Sequence, residues 1–289
     1  MTEILSHGNR ELATISATDP EVLRLRSALA QFELGRFLLD NLGLNGHWTS
    51  YVLLHPERGR QTNVSSDGTS LSELEAWLLN CCPIILATQE RFQIARTLTQ
   101  QHLRAGMALA SLPCGLMDDL LSLDYSQLAG VELTGVDLDP EALREAETRC
   151  RHQRSALSVG FECCDAWQLG TSERWDLVTS NGLNIYVEDD DRCVDFYRGV
   201  CQALRPRGIF LISFITPPGQ WQPRQVTDLE LQRLLFQQVI PARWNCFREE
   251  QQLRQHLQDA GFEVVAVHDD SQRMFPTVVA RKRGSAPAP

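Results

Sequence analysis

In the segment LTGVDLDPEALREAE, 133–147, an apolar run ends in Asp137 and is followed by Asp139 and Pro140, the residue types that cap and open a helix. A carboxylate at the end of such a strand can accept hydrogen bonds from both hydroxyls of a ribose, and charge-assisted bonds of this kind are stronger than neutral ones. Asp139 reads as the helix cap. Earlier in the chain, ALASLPCGLMDDLL, 108–121, keeps a glycine, Gly115, at a strand-to-helix turn, where it lets backbone approach a ligand or take a positive φ. A glycine turn followed by a strand-terminal acid marks an adenosine site at the carboxyl edge of an open sheet.

The residues after Gly115 select among nucleosides. Dinucleotide enzymes receive a pyrophosphate on the free amides of the helix that follows such a turn. Here that position carries Asp118 and Asp119, which suit the positive end of a helix dipole and repel phosphate. Unit charges about 4 Å apart at an effective dielectric of about 20 interact by about 4 kcal/mol. A cationic nucleoside without phosphate is therefore favoured over NAD. Further on, RWDLVTSNGLNIYV, 174–187, ends a strand in Ser180, Asn181 and Gly182; Asn181–Gly182 is also a turn dipeptide, and Asn184 and Tyr186 are close enough to line the same mouth.

These residues need elements to hold them. Residues 19–42 begin Asp19-Pro20-Glu21 and carry apolar residues near helical spacing, which predicts an amphipathic helix. HWTSYVLLHP, 47–56, reads as a short strand and RGRQTNVSSDG, 58–68, as a hairpin or loop. Helices are expected over 70–80, with a capping box from Ser70 to Glu73, and over 83–104. From Met107 short apolar runs alternate with helical segments, the pattern of a βαβ sheet. Strands are expected at 107–112, 132–137, 159–163, 175–180, 208–214, 262–268 and 275–281, and helices at 117–128, 140–152, 190–204 and 245–260. The last two strands are joined by too few residues for a parallel crossover, so they form an antiparallel hairpin.

This ordered series resembles the class I S-adenosylmethionine (SAM) dependent methyltransferases, over 107–214 and, with the terminal hairpin, to about 283. The resemblance implies an α/β, Rossmann-like, seven-stranded, mostly parallel sheet with an antiparallel last strand, plus an N-terminal helical cap. The family's first motif is an acid followed by Gly-x-Gly-x-Gly. Here Ser111 stands at the acid, Pro113 and Met117 replace two glycines, and Gly115 is kept, so Ser111 or a backbone carbonyl would have to meet the methionine amine. The resemblance places Asp165 of VGFECCDAWQL against the adenine amino group, with Ala166 beside it and Trp167 either near the ring or in the core. It puts Asn181 at the transferable methyl and Arg91, on the helix preceding the first strand, at the methionine carboxylate. RPRGIFLISF, 205–214, resembles the turn common before strand five. The implied cofactor set is Arg91, Ser111, Pro113, Cys114, Gly115, Asp137, Leu138, Asp165, Ala166 and Asn181; the implied catalytic set is Asn181, Asn184 and Tyr186. Methyl transfer does not require a base, and His47, Tyr51 or Tyr186 could assist one.

Composition narrows the class. A chain of 289 residues, 43% hydrophobic and 22% charged, can build one sizeable α/β core with a helical appendage. We expect residues 1–104 to form the cap, 105–283 the SAM-binding domain with 217–243 as a lid insertion, and 284–289 a disordered tail. A net charge of −10, with Lys282 the single lysine, disfavours nucleic acid as a partner; a small molecule is the expected substrate, with a protein acceptor as a variant. The first ten residues, MTEILSHGNR, hold no apolar run, and no stretch approaches a membrane span. Nine cysteines without a Cys-x-x-Cys pair, and scattered histidines, predict reduced thiols, a cytoplasmic setting and no metal. The readings set against SAM-dependent methyl transfer are an NAD-dependent oxidoreductase and a fold relative that binds without catalysis.

Overall fold

In the computed structural model, residues 19–152 and 157–284 are described. The extreme N-terminus read above and the tail beyond Gly284 lie outside them. Among the described residues six helices precede the sheet: α1 (Pro20–Leu29), α2 (Glu33–Asn41), α3 (Gly46–Leu54), α4 (Gly59–Thr62), α5 (Glu73–Asn80) and α6 (Pro83–His102). The expected single helix over 19–42 is two. Asp19 caps α1 by accepting from Glu21 N, and the chain then folds back so tightly that a Cβ on Gly35 would lie 2.1 Å from the Leu29 carbonyl oxygen. Only glycine fits there.

The segment expected as a strand over 47–56 is α3. Asn45 accepts from Trp48 N at 3.0 Å, and this cap sets the helix against the β-leaning composition of Trp48, Thr49, Tyr51 and Val52. The loop over 58–68 contains α4 and a turn closed by a Val64–Ser70 bridge. The cap of α5 is Ser72, accepting from Glu75 N, two residues later than the sequence box suggested, so the helix starts at Glu73.

The sheet has strands β1 (Ala108–Ser111), β2 (Glu132–Asp137), β3 (Ser158–Cys163), β4 (Trp175–Asn181), β5 (Leu204–Ser213), β6 (Phe262–His268) and β7 (Thr277–Lys282), in the order β3-β2-β1-β4-β5-β7-β6. Six strands run parallel and β7 is antiparallel to both neighbours. The helices after β1 are α7 (Asp118–Leu121), α8 (Pro140–His152), α9 (Asp190–Ala203), α10 (Val226–Leu234) and α11 (Glu250–Asp259). The helix expected over 117–128 is thus a single turn, ended at Ser122, whose hydroxyl donates to the Asp118 carbonyl.

One sheet face packs on α9 and α11 through Phe196, Tyr197, Leu253 and Leu257, and the other on α6 and α8 through Leu98, Leu103 and Leu143. A third core joins the N-terminal helices to α10 and the π-helical turn that follows it, Leu235–Val239. The insertion thereby shares a core with the helices nearly two hundred positions earlier in the chain. Among the described residues no helix is long and apolar enough to cross a membrane.

Candidate functional site

Register decides which side chains meet. Ser111 pairs with Thr179, Asp137 with Cys163 and Asn181 with Ser213, so the ends of β1, β2, β4 and β5 share one rim. At that rim lies a cavity of about 360 Å³, bounded by α2, α3, α5 and α6 above the strand ends. Small-molecule sites span roughly 300–1,000 Å³. Arg91, Ser111, Pro113, Cys114, Gly115, Asp137, Asn181 and Tyr186 all line it.

The first turn is locked from both sides. Leu112 N donates to the Thr179 carbonyl and Cys114 N to that of Val136, each at 2.9 Å. Gly115 takes φ +50° and donates its N–H to Asp137 Oδ2 at 2.7 Å, while Asp139 N donates to Asp137 Oδ1. Each carboxylate oxygen of Asp137 still has a lone pair for a ligand. Asp139 accepts from Glu141 N, as a helix cap does. Above the turn sits Gly46 of α3: a Cβ there would meet Gly115 Cα at 3.1 Å and Ala142 Cβ at 3.0 Å.

Asp119 does something the sequence reading missed. The one-turn α7 rotates it inward, 7% exposed, where it accepts from Thr179 Oγ1 at 2.6 Å and Ser111 Oγ at 2.9 Å. Burial raises its pKa, and the two hydroxyls counter only part of that. A carboxylate thus stands at the side chain of Ser111, where the sequence had lost one. Asp118 also lines the cavity, with its pKa raised by burial against the pull of Ser50 and Arg149.

Arg91 of α6 is buried, and burial pushes it down to about 10. Its Nη1 donates to Ser213 Oγ at 3.3 Å, its guanidinium lies 4.6 Å from the Phe275 ring centre, and its Nε has no partner. Among the described residues no carboxylate forms an ion pair with it. Ser180 Oγ and Asn181 Oδ1 are likewise buried and unpartnered. Nearly half of the Tyr186 surface is exposed, yet burial of its phenol raises the pKa against the pull of Arg91.

Other expected residues fall elsewhere. Asn184 does not line the mouth: it is 2% exposed and donates to the Tyr197 hydroxyl at 3.0 Å, because the 3-10 turn Asn184–Tyr186 points the two side chains apart. Tyr51 donates to Glu75 and is pushed up by burial, and His47 faces Glu145 of α8 at 3.1 Å, so neither base candidate faces the cavity. Asp165 accepts from Trp167 N at the turn after β3, whose Cys164 N donates to the Asp137 carbonyl, which keeps Asp165 and Ala166 on the rim beside Asp137. Trp167 packs on Phe196 and donates to the Arg192 carbonyl. Leu138, next to Asp137, is 69% exposed.

Arg248, 3% exposed, fixes the loop carrying Tyr186 by donating to the carbonyls of Asn184 and Val187. The apolar wall of the cavity was not legible: Leu34, Leu38, Leu78 and Phe236 come from helical segments whose apolar periodicity reads only as core, and Trp244 from the loop before α11. All nine cysteines are free thiols, and among the described residues no group of three or more His, Cys, Asp or Glu converges as a metal site would require.

Comparison with known proteins bears on the whole arrangement. Residues 114–208 match the family model of a methyltransferase domain. A Bordetella parapertussis protein described as a possible exported protein is 42% identical, over 91% of this chain and 87% of that one, with a TM-score of 0.83. A SAM-dependent methyltransferase from Methanosarcina mazei shares the fold at 18% identity, over 65% of this chain and 98% of that one, TM-score 0.50. So does a cyclopropane synthase from Mycobacterium tuberculosis at 12% identity, over 66% and 83%, TM-score 0.51. No curated protein matches the chain at a significant level.

Proposed function

Because the chain belongs to the class I family of SAM-dependent methyltransferases and takes SAM as its cofactor, we propose that it transfers the methyl group by in-line displacement to a small-molecule acceptor beside Asn181. The observation that carries this reading is the buried Asp119–Ser111–Thr179 cluster in the same cavity as an unpaired Arg91. An acid and a buried cation at one rim suit the ammonium and carboxylate of an amino acid. The carboxylates of Asp118 and Asp119 would repel a pyrophosphate at the same turn, which counts against NAD.

When bound, SAM supplies an electrophilic methyl on a sulfonium, a good leaving group. The chain's part is to hold and align. Asp137 takes the ribose hydroxyls on its free lone pairs. Leu138 gives the adenine an apolar face, with Asp165 and Ala166 at its edge. Pro113, Cys114 and Gly115 carry the turn along the cofactor, Asp119 with Ser111 meets the methionine ammonium, and Arg91 meets its carboxylate. Asn181 and Tyr186 flank the methyl. Asn184, proposed from sequence as a third such residue, acts at most through the loop it anchors on Tyr197.

Residues 1–104 would then serve as a cap over a cofactor domain at 105–283, with 217–243 as a lid that shares the cap's core. Closing such a site excludes water from the displacement. Nine free thiols support a cytoplasmic setting, although a relative carries the description of an exported protein. The test is calorimetric titration with SAM, S-adenosylhomocysteine and NAD. Micromolar binding of the first two without NAD is expected; NAD binding without SAM binding overturns the reading.

A further inference from the structure

The cofactor reading leaves one polar atom in the cavity without a task in binding. Asn181 Oδ1, at the end of β4, is buried and accepts nothing. A buried carbonyl oxygen without a donor is costly, so its donor arrives with a ligand. The wall of the same cavity beyond the strand ends is apolar: Leu38, Leu78, Ile85, Phe236, Trp244 and Phe275. The charged groups that line the cavity are Asp118, Asp119, Asp137 and Asp139, at or beside the first turn, and Arg91. The wall formed by α2, α5 and the 226–244 segment contributes none, and a charge placed against such a wall would be desolvated without compensation.

Resting on the cofactor placement above, we propose that the acceptor is an uncharged, largely apolar molecule whose nucleophile is a hydroxyl or an N–H, and that this group donates its hydrogen to Asn181 Oδ1. The hydrogen bond turns the oxygen or nitrogen lone pair toward the methyl. That lone pair forms the new bond to carbon, the carbon–sulfur pair stays on sulfur, and the proton is released to solvent, since an amide oxygen is too weak a base to keep it. Carbon nucleophiles, thioethers and tertiary amines lack the donor, and a charge placed against the apolar wall would be desolvated at a cost.

Binding of 2-naphthol and of its methyl ether, 2-methoxynaphthalene, to the protein saturated with S-adenosylhomocysteine tests this by calorimetry. The naphthol is expected to bind at one site, about tenfold more tightly than the ether. Asn181→Leu should abolish that preference, and Asn181→Asp, which keeps an acceptor oxygen, should retain it. Equal affinities in the parent, no naphthol binding, or a preference that survives Asn181→Leu overturns the proposal. Failure of S-adenosylhomocysteine itself to bind strikes the cofactor reading instead, so the two are separable.

Discussion

The two walls of the cavity are built on different principles. The strand-end wall is local: Gly115, Asp119 and Asp137 lie on neighbouring strands and turns, joined by backbone and side-chain hydrogen bonds that leave little freedom. The helical wall is assembled from α2, α3, α5, α6 and the 226–244 segment, held by apolar packing and a few long-range polar contacts such as Gln232 Oε1 accepting from Ile84 N at 2.6 Å. The first wall presents fixed hydrogen-bonding groups to the cavity. The second fixes shape, and can be varied without disturbing the first.

If that division holds, the largest effect on cofactor binding comes from Asp137→Ala. It deletes the charged acceptor for two ribose hydroxyls and also orphans Gly115 N, so affinity for S-adenosylhomocysteine should fall about 100-fold by calorimetry. The naphthol preference at saturating cofactor should persist. An unchanged isotherm would mean that the ribose lies elsewhere.

Next in size is the joint between the walls. Gly46→Val places a branched side chain between α3, Gly115 and Ala142, where even a Cβ is tight. Overpacking of this kind costs about 1–3 kcal/mol, so both thermal stability and cofactor affinity should drop. A loss of stability alone would show that α3 covers the turn without shaping it.

The same contrast explains what could be read from sequence. The inner strands β1, β2, β4, β5 and β7 are buried along most of their length, so they appear as short apolar runs between turn residues, and β2, α8 and β6 fall where expected. Asp137 reaches the cavity because β2 ends where expected, at the rim. In the N-terminal region α5 and α6 lie near the expected spans, whereas α3 was read as a strand, since it carries strand-forming residues and its helical state depends on the Asn45 side chain and on packing against Gly115. Asp119 was read only as a charge hostile to phosphate; its place beneath Ser111 was not legible, because only the truncation of α7 at Ser122 rotates it there. Asn184 and Tyr186 lie too close in sequence for spacing alone to tell that one faces the core and the other the cavity.

Asp119 offers a smaller, sharper probe of the strand-end wall. Its folded pKa lies above the ordinary carboxylate range because of burial, so the anionic form needed to meet an ammonium becomes populated only as pH rises through that raised value. Affinity for S-adenosylhomocysteine should therefore increase with pH over that window in the parent. Asp119→Asn keeps the shape and the hydroxyl partners but should bind about tenfold more weakly at high pH and lose the slope. A parallel slope in parent and variant would move the ammonium to another partner.

The smallest expected effect lies in the helical wall, at Glu75, which is fully buried in α5 and accepts from Tyr51 and Ser65 while its other oxygen has no partner. Burial raises its pKa above the unfolded value of 4.5. Between those two values the folded state holds a proton that the unfolded state has lost, so Glu75 makes stability fall as pH rises through the window and level off above it. Glu75→Gln preserves an acceptor for both hydroxyls and removes the titration. Its melting temperature should exceed the parent's by about 2 °C at pH 8, with the gap closing below pH 4.5. Cofactor affinity should be the same in both, because Glu75 belongs to the helical wall's interior and reaches the cavity only through packing. A constant gap at every pH would mean that Glu75 stays ionised in the fold, held by Tyr51 and Ser65 alone.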